Sequence, residues 1–432
     1  MKIIRSVNQN RMSILGQQTV EPNVVYVPLP GLIQEGAACY NPLTEEAIII
    51  EDVEKERRTL VQKWYLVPKG FDIRTISHMV RQKQVAQNSI PGQAKRTFTI
   101  FTSTACNAHC EYCFERDMKP LNMSDETALM VAQYIERTHT KRQPVRLRWF
   151  GGEPLVNKHV IDLICDYLFD HNVPYMSTMS SNGDLFDKVT DENLKRWKLR
   201  KVQFTIDDTG DEYDRIKGLP KGAYDRLHRT IDRFSALGII SEIRVHYHPS
   251  KGSAPCLKII KDMERHTGIT MYARIVYDTE SHEDYENLMK IEDEIIARGW
   301  MKPQFPAYSN GTHCMADNRT SVTVGVNGDL SPCEHYAYGP EMYGNLKSKH
   351  YDGKVLARWS ERIKHTAAVC DDCPLYPSCE AITMCPAEGD CSKGYKEYRI
   401  ALLKRAMHNA AKNNGSDLKA IGTAPELICG VC

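Results

Sequence analysis

The sequence lacks the features that would mark a membrane, secreted or nucleic-acid-binding protein. It has no apolar run near the roughly 20 residues that a helix needs to span a bilayer. Its N-terminus, MKIIRS, has no apolar core of the kind that a signal peptide carries. The formal net charge is only +1, so no excess of positive charge favours nucleic acid or an anionic membrane surface. We therefore expect a cytoplasmic protein with neither a nucleic-acid nor a membrane partner.

The rest of the composition is ordinary, apart from the cysteines. Hydrophobic residues make up 42% and charged residues 26% of the 432 residues, which suits two or three globular domains. The chain has 15 cysteines, and ten of them lie within residues 106–113 and 314–391. Disulfides are rare in a reducing compartment, so clustered cysteines there indicate metal ligands.

The first group of cysteines, Cys106, Cys110 and Cys113, has C-x3-C-x2-C spacing and follows an apolar, β-rich run over 96–102. Three thiols this close can reach one metal centre from a single loop. An ordinary iron–sulfur or structural zinc site takes four protein ligands, so a cluster held here would keep one iron open for a further ligand. The alternative is three buried or redox-active thiols that share no ligand.

Residues 96 to about 300 alternate between apolar strand candidates and helical stretches. The predicted strands are 97–102, 145–150, 175–180, 201–206, 242–247 and 271–277. The predicted helices are 124–137, 159–169, 224–237, 257–266 and 283–298. Six β-then-α units in a row predict a parallel sheet with right-handed crossovers. The periodicity fits an open doubly wound sheet and a six-unit partial barrel equally well.

Chemically distinctive motifs follow the first four predicted strands. These are the thiol loop, Gly151–Pro154, Ser180–Gly183 and Asp207-Asp208. The carboxyl ends of parallel strands meet at the edge where α/β proteins bind ligands, so we predict one site. Four side chains near this edge are candidates for moving a proton, with hydrogen bonding or ribose contact as the alternative: Asp207, Asp208, His246 and His248.

The strand-end motifs suit a ligand with an amino-acid end and a nucleoside end. Gly151 and Gly152 allow a close backbone approach, and the carboxylate of Glu153 suits an amine. The hydroxyl of Ser181 and the amide of Asn182 suit a ribose or a carboxylate.

The thiol loop, with Tyr112 before its last cysteine, together with GGEP after the next strand, resembles the radical S-adenosylmethionine superfamily. In that family the open iron chelates the amine and carboxylate of S-adenosylmethionine, and the cleaved cofactor supplies a radical that takes a hydrogen atom from the substrate. The resemblance implies a catalytic [4Fe-4S] cluster, S-adenosylmethionine, and a one-electron reductant such as flavodoxin or ferredoxin.

The resemblance also implies a role for each residue of these motifs. It makes Cys106, Cys110 and Cys113 the cluster ligands and catalytic residues, and it places Tyr112 beside the adenine. It implies contacts to the methionine amine from Gly151, Gly152 and Glu153. It also implies contacts to the ribose and carboxylate from Ser181, Asn182, Thr205 and Arg215.

The downstream cysteines resemble the SPASM extension of the same superfamily, although five residues instead of three separate Cys379 from Cys385. The resemblance implies two auxiliary [4Fe-4S] clusters, one held by Cys370, Cys373, Cys379 and Cys391, and the other by Cys314, Cys333 and Cys385. Cys256 or His313 would complete the second cluster, which otherwise keeps an open iron. The alternative is a zinc ribbon, which also uses CxxC pairs.

We predict an α/β fold with a partial (β/α)6 barrel, a small N-terminal α+β module and a loop-rich C-terminal iron–sulfur domain. The predicted regions are the module at 1–95, the barrel at 96–300, the SPASM domain at 301–395, and a helix and tail at 396–432.

SPASM-bearing enzymes that resemble this chain commonly install thioether or carbon–carbon crosslinks in ribosomally made precursor peptides. The N-terminal module could bind the leader of such a peptide by strand addition. One alternative is sulfatase-maturase-like oxidation of Cys or Ser to formylglycine, against which the long N-terminal region argues. Another is a non-catalytic iron–sulfur carrier, which would have no need of an open iron beside a nucleoside pocket.

Overall fold

A computed structural model describes residues 1–88, 95–113, 115–276, 281–306, 316, 320–339, 341–360, 370, 373–379, 391 and 394–414. The chain divides into two compact units. The terminal unit combines Met1–Ile90, Lys302–Cys314 and Glu361–Cys432, and the sheet unit combines Pro91–Met301 and Met315–Ser360. This division differs from the predicted one, because 315–360 belong with the sheet and both ends of the chain share a unit. No helix in the described ranges is long and apolar enough to cross a membrane.

The described residues form the following elements. The strands are β1 (Lys2–Arg5), β2 (Tyr26–Pro28), β3 (Ile33–Glu35), β4 (Ala38–Tyr40), β5 (Ala47–Ile49), β6 (Leu66–Pro68), β7 (Thr97–Ser103), β8 (Val145–Gly151), β9 (Tyr175–Ser181), β10 (Leu199–Ile206), β11 (Ile240–Tyr247), β12 (Ile269–Ile275), β13 (Ser321–Val324), β14 (Asp329–Ser331), β15 (Gly344–Asn345) and β16 (His350–Tyr351). The α-helices are α1 (Gln9–Leu15), α2 (Val53–Gln62), α3 (Ile73–Asn88), α4 (Asp125–Thr138), α5 (Lys158–Asp170), α6 (Asp191–Arg196), α7 (Asp211–Lys217), α8 (Ala223–Ala236), α9 (Ala254–Asp262), α10 (His282–Ala297), α11 (Gly353–Ser360) and α12 (Tyr395–Asn413). Short 3-10 turns lie at Pro154–Asn157, Phe186–Lys188, Pro249–Lys251, Met263–Arg265, Glu334–Tyr336 and Tyr376–Ser378.

The sheet unit is built on one ten-stranded sheet in which β7 to β12 are parallel and neighbour each other in chain order. On the other side of β7, the parallel β13 is followed by the antiparallel β14, β15 and β16. The predicted parallel α/β sheet is thus confirmed. From β7 to β12 the strand order does not reverse, whereas a doubly wound sheet of six strands reverses its order near the middle. Closure into a partial barrel stays a prediction.

The helices cover one face of the parallel strands because apolar residues alternate along them. On β8, Val145, Leu147 and Trp149 are buried, while Arg146 and Arg148 on the opposite face remain accessible. Ser124 caps α4, since its hydroxyl accepts from the backbone N–H of Thr127 at 3.2 Å. Because the first four parallel strands run in the same direction, they all end at one edge of the sheet. Each of them ends at or shortly before its predicted motif.

The terminal unit has a four-stranded antiparallel sheet in the order β1-β5-β4-β3. One face of this sheet packs against α12, through contacts that include Leu403 and Met407. The opposite face packs against α2, through Leu60 and Val61. The N-terminal residues do form strands and helices, but the C-terminal helix α12 covers one face of their sheet. The two ends of the chain therefore share one hydrophobic core.

Candidate functional site

The thiol loop leaves β7 and carries three free, half-buried cysteines. The backbone N–H of Ala108 lies 3.4 Å from Cys106 Sγ, and the side-chain amide of Asn182 lies 3.9 Å from the same sulfur. Such donors stabilise a sulfur that carries negative charge in a metal site. Burial raises the pKa of Cys106 to about 12. The thiol would therefore lose its proton only when a metal binds to the sulfur. These features fit a cluster held by three thiolates.

The two glycines of the next loop pack against the backbone of the thiol loop. A Cβ atom on Gly151 would lie 2.0 Å from the carbonyl oxygen of Ser103, and one on Gly152 would lie 2.5 Å from that of Ala105. The N–H of Gly152 donates to the Ser103 carbonyl at 3.0 Å. The close approach that these glycines permit is therefore between two strand-end loops.

Gly151→Ala is expected to disrupt the site, because the added methyl group would overlap a backbone carbonyl that has no room to move. We expect reconstituted protein to lose most of its iron at the thiol loop, as measured by iron content and by the cluster absorption band. The matched control is Gly210→Ala, which also has a positive φ but has no atom within 4 Å of the added carbon. Equal iron content in the two variants would contradict the role of the close approach.

Glu153 joins the second and third strand-end loops. Its side chain is fully buried, and its carboxylate accepts from the Ser181 hydroxyl at 3.0 Å and from the backbone N–H of Asn182 at 2.9 Å. Burial raises its pKa to about 7, and the hydrogen bonds from Asn182, Leu155 and Ser181 oppose that rise. The predicted contact of Glu153 with an amine stays a prediction; in the structure this residue links the two loops.

Asp207, directly after β10, lies at the centre of a buried polar cluster. Four side chains donate to its carboxylate, at distances of 2.7, 2.8, 2.9 and 3.1 Å: Tyr112 Oη, Lys217 Nζ, His246 Nδ1 and His248 Nε2. Burial acts to raise the pKa of Asp207, but the Lys217 ammonium and the two imidazoles hold it well below its ordinary value. Asp207 is therefore a charged acceptor.

His246 presents an unused nitrogen at this edge. Its Nδ1 donates to Asp207, while its Nε2 is buried and has no hydrogen-bond partner among the described residues. Burial lowers the pKa of His246 to about 4, so the ring is neutral and Nε2 offers a lone pair. The ligand atoms of Asp207, His246 and His248 lie within 4.8 Å of one another, as in a metal site, but the Lys217 ammonium on the same carboxylate disfavours a cation.

The structure brings most of the predicted site residues together but not all of them. Tyr112 is anchored to Asp207 and packs against the rings of His246 and His248, and Thr205 lies half-buried on β10. Arg215 instead points to solvent and pairs with Glu212 at 2.7 Å. The roles assigned to these residues in binding S-adenosylmethionine stay predictions.

Sequence reasoning missed Lys217. This residue ends α7, is 3% exposed, and contacts both Asp207 and Tyr112, with 2.5 Å between its Nζ and the Tyr112 hydroxyl. Its carbonyl also accepts from the backbone N–H of His109 in the thiol loop at 2.7 Å. The sequence did contain one signal for Lys217, a second cation two residues after Arg215. Residues two positions apart do not share a face of a helix, so only one of the two cations could face the site.

The second group of cysteines is described in part. Cys370, Cys373, Cys379 and Cys391 are half-buried in the terminal unit, and Cys333 is half-buried in the sheet unit at the start of a 3-10 turn. Cys314, Cys385 and His313 lie outside the described residues. Cys256 is buried on α9, where its thiol donates to the His246 carbonyl at 3.5 Å.

Two buried arginines from the N-terminal helices bind the loop that leads to Cys379. Arg11 donates to the Pro377 carbonyl at 2.9 Å and pairs with the buried Glu45 at 3.2 Å. Arg81 donates to the carbonyl of Tyr376 at 2.8 Å and to that of Cys379 at 3.0 Å. The N-terminal residues therefore hold this cysteine-bearing loop in place within the terminal unit.

Comparison with known proteins agrees with the geometry of the thiol loop. Residues 100–263 match the family model of the radical SAM superfamily. This stretch of the chain is therefore similar to the domain that the radical SAM superfamily shares.

Sequence relatives are distant. A GTP 3',8-cyclase of Alkaliphilus metalliredigens is 28% identical over 209 residues, which cover 48% of this chain and 59% of the relative. The chain spans between 29% and 59% of the length of the first curated relatives that it matches.

Solved structures share the fold over more of the chain. The structure of anSMEcpe with bound AdoMet covers 74% of this chain and 99% of its own, with 15% identity and a TM-score of 0.57. Streptococcus suis SuiB bound to the precursor peptide SuiA covers 83% of this chain and 95% of its own, with 13% identity and a TM-score of 0.53. The likeness extends the shared fold well beyond the radical SAM domain.

Proposed function

We propose that this protein is a radical SAM peptide maturase, which takes a hydrogen atom from a ribosomally made precursor peptide and forms a thioether or carbon–carbon crosslink. The observation that carries the proposal is the shared fold with SuiB over 83% of the chain, because SuiB is described with its precursor peptide bound. That likeness includes regions on both sides of residues 100–263, which match the radical SAM family model.

The catalytic cluster would be held by Cys106, Cys110 and Cys113, and S-adenosylmethionine would occupy the edge formed by the strand-end loops. When bound and reduced, these groups supply the radical that accepts a hydrogen atom from the substrate. The protein's own part is to orient the reactants and keep water out. The linked loops of Glu153, Ser181 and Asn182 give this edge a defined shape.

Crosslink formation removes a second hydrogen from the peptide, as a proton and an electron. We propose His246 Nε2 as the acceptor of that proton, because Asp207 holds the ring through Nδ1 and Nε2 has no partner among the described residues. The electron would pass to an auxiliary cluster and from there to an external one-electron carrier.

We propose two auxiliary clusters with the predicted ligands, one on Cys370, Cys373, Cys379 and Cys391, and the other on Cys314, Cys333 and Cys385. The half-buried positions of the first set support this assignment, as do the hydrogen bonds of Arg11 and Arg81 to the intervening loop. The N-terminal module would bind the leader peptide by strand addition at β1, an edge strand on which Ile3 is 47% exposed.

The proposal predicts that the reconstituted, reduced enzyme converts S-adenosylmethionine to 5′-deoxyadenosine and removes two hydrogen atoms from the peptide encoded beside its gene. Mass spectrometry of the intact and proteolysed peptide measures the loss and locates the bond. Cleavage of S-adenosylmethionine with no change in any candidate peptide, together with conversion of GTP, would overturn the proposal.

Oxidation of Cys or Ser to formylglycine is the second candidate, and the 99% coverage of anSMEcpe favours it. A solved complex of anSMEcpe also contains a Cys-bearing peptide, Cp18Cys. The two reactions are distinguished by hydrazide labelling, because formylglycine is an aldehyde and a crosslink is not. A hydrazide-reactive product would replace the crosslinking proposal with this one.

A further inference from the structure

The parallel sheet has one polar face, although parallel sheets are usually covered on both faces and apolar throughout. The partly accessible side chains alternate with buried ones along β10, β11 and β12. They are mainly polar and include Lys201, Gln203, Thr205, Glu242, Arg244, Thr270, Tyr272 and Arg274. Because these side chains are accessible, a ligand can contact them on this face.

Arg244 and Arg274 lie on this face next to the Asp207 cluster. Arg244 precedes His246 by two residues on β11, so both side chains share a face about 6.6 Å apart along the strand. In the register of β11 and β12, Arg274 lies beside His246 and Arg244 lies beside Tyr272. A substrate that reaches His246 would therefore meet both guanidinium groups.

The positive charges on this face are only partly compensated. Arg148 pairs with Glu334 at 2.8 Å, and Lys201 pairs with Glu242 at 2.7 Å. Neither Arg244 nor Arg274 has an ion pair or hydrogen bond to any residue in the described part of the chain, and Arg244 Nε is buried without a partner. Arg274 lies over the Tyr272 ring, 5.5 Å from its centroid.

Three arginines also lie near the side chain of Tyr272. Burial raises the pKa of Tyr272, as does the negative charge of Glu242, while the positive charges of Arg244, Arg274 and Arg148 oppose that rise. Several guanidinium groups thus lie within electrostatic range of one hydroxyl, which itself donates to Gln203 at 3.0 Å. A partly buried, unpaired guanidinium lacks the compensating charge that buried ions normally have, and a planar carboxylate can supply it through two parallel hydrogen bonds.

We propose that Arg244 and Arg274 bind a substrate carboxylate, so that the precursor peptide carries Asp or Glu beside the residue that loses hydrogen. This inference rests on the proposed function and specifies its substrate class. The methionine carboxylate of S-adenosylmethionine is a different ligand, since the side chains expected to hold it are those of Ser181, Asn182, Thr205 and Arg215. The affinity for S-adenosylmethionine should therefore not depend on Arg244 or Arg274.

The test uses the holoenzyme with S-adenosylmethionine and a synthetic peptide that has glutamate on each side of one cysteine, compared with its glutamine twin. Anaerobic calorimetry should show the glutamate peptide binding at least about tenfold more tightly, as expected for hydrogen bonds to a charged group. Arg244→Gln and Arg274→Gln should each reduce that preference, and Arg244→Lys should restore part of it. Arg229→Gln, on the exposed side of α8, should leave it unchanged.

Equal affinity for the twin peptides would overturn this inference, as would a preference that survives in both arginine variants. Weaker binding of S-adenosylmethionine in those variants would also overturn it, since the arginines would then serve the cofactor. Modification of a neutral precursor alone would refute the acidic substrate class while the proposed function stands. Conversion of GTP with no peptide modified would remove the proposed function itself.

Discussion

Protein in which Cys106, Cys110 and Cys113 are all replaced by Ala is expected to lose cleavage of S-adenosylmethionine completely. These three thiols are the ones placed at the edge shared by the other strand-end loops, so no described cysteine can take over their role at that edge. Wild-type protein reconstituted without oxygen should hold about twelve iron atoms, and the triple variant should keep about eight. Iron and sulfide analysis and chromatography of 5′-deoxyadenosine measure the two quantities.

The matched control for this experiment is Cys165→Ala. Cys165 lies on α5 in the core of the sheet unit and is 0% exposed, so its loss should change neither iron content nor cleavage. A wild-type protein that binds one zinc and no iron would refute the cluster assignment. A triple variant that still forms 5′-deoxyadenosine would refute the role of the loop.

Arg11→Met is expected to have the largest effect on stability outside the sheet unit. Arg11 and Glu45 are 0% and 2% exposed and form an ion pair at 3.2 Å, so removing the guanidinium would leave the buried carboxylate with the more distant Arg5, at 3.9 Å, as its remaining described cation. Breaking a buried pair in this way costs about 3–5 kcal/mol of unfolding free energy. The variant should also lose iron from the terminal unit, because Arg11 holds the Pro377 carbonyl and the Ser378 hydroxyl beside Cys379.

Arg57→Met provides the comparison, since Arg57 is 40% exposed and lies 4.0 Å from Glu54 one helical turn away. Exposed pairs of this kind contribute about 0–1 kcal/mol. Denaturant unfolding under matched conditions measures both changes, and iron analysis reports on the cysteine-bearing loop. If Arg11→Met proves as stable as Arg57→Met and keeps its iron, the network does not support the loop.

The terminal unit also changes how the N-terminal residues should be tested for leader binding. Deleting them would remove the sheet against which Leu403 and Met407 pack, and it would remove both buried arginines. A truncated chain would therefore lose structure along with any peptide binding. Substitution of the exposed Ile3 on the edge strand β1 is the cleaner change, because that side chain supports no described core.

Local patterns were sufficient to predict the six parallel strands β7 to β12 and the edge at which their motifs meet. Alternation of buried and accessible residues marks a strand that is covered on one face, and an N-cap such as Ser124 marks where a helix begins. The thiol loop, the glycine loop and Asp207 each follow a strand directly, so a parallel sheet necessarily brings them to one edge. These features depend on residues that are neighbours in the sequence, so the sequence pattern alone is enough to predict them.

The remaining features depend on contacts between residues that are distant in sequence. Periodicity shows that a strand has a buried face, but it does not say what covers that face, so the packing of α12 on the N-terminal sheet was not predicted. The contact of Arg81 with Cys379 joins residues 298 positions apart. The same limit applies to Arg215 and Lys217, since only the orientation of α7 decides which of the two cations reaches Asp207.

The sequence by itself determined the chemistry of this protein: a loop of three thiols beside motifs suited to S-adenosylmethionine, at one edge of a parallel sheet. The tertiary structure decided the strand order, the packing together of both chain ends, and the pairing of each buried charge. It also left Arg244 and Arg274 unpaired on the polar face, because the carboxylates of Glu242 and Glu334 pair with Lys201 and Arg148. Which charges pair depends on distances in the folded chain, and the composition of the sequence does not give those distances.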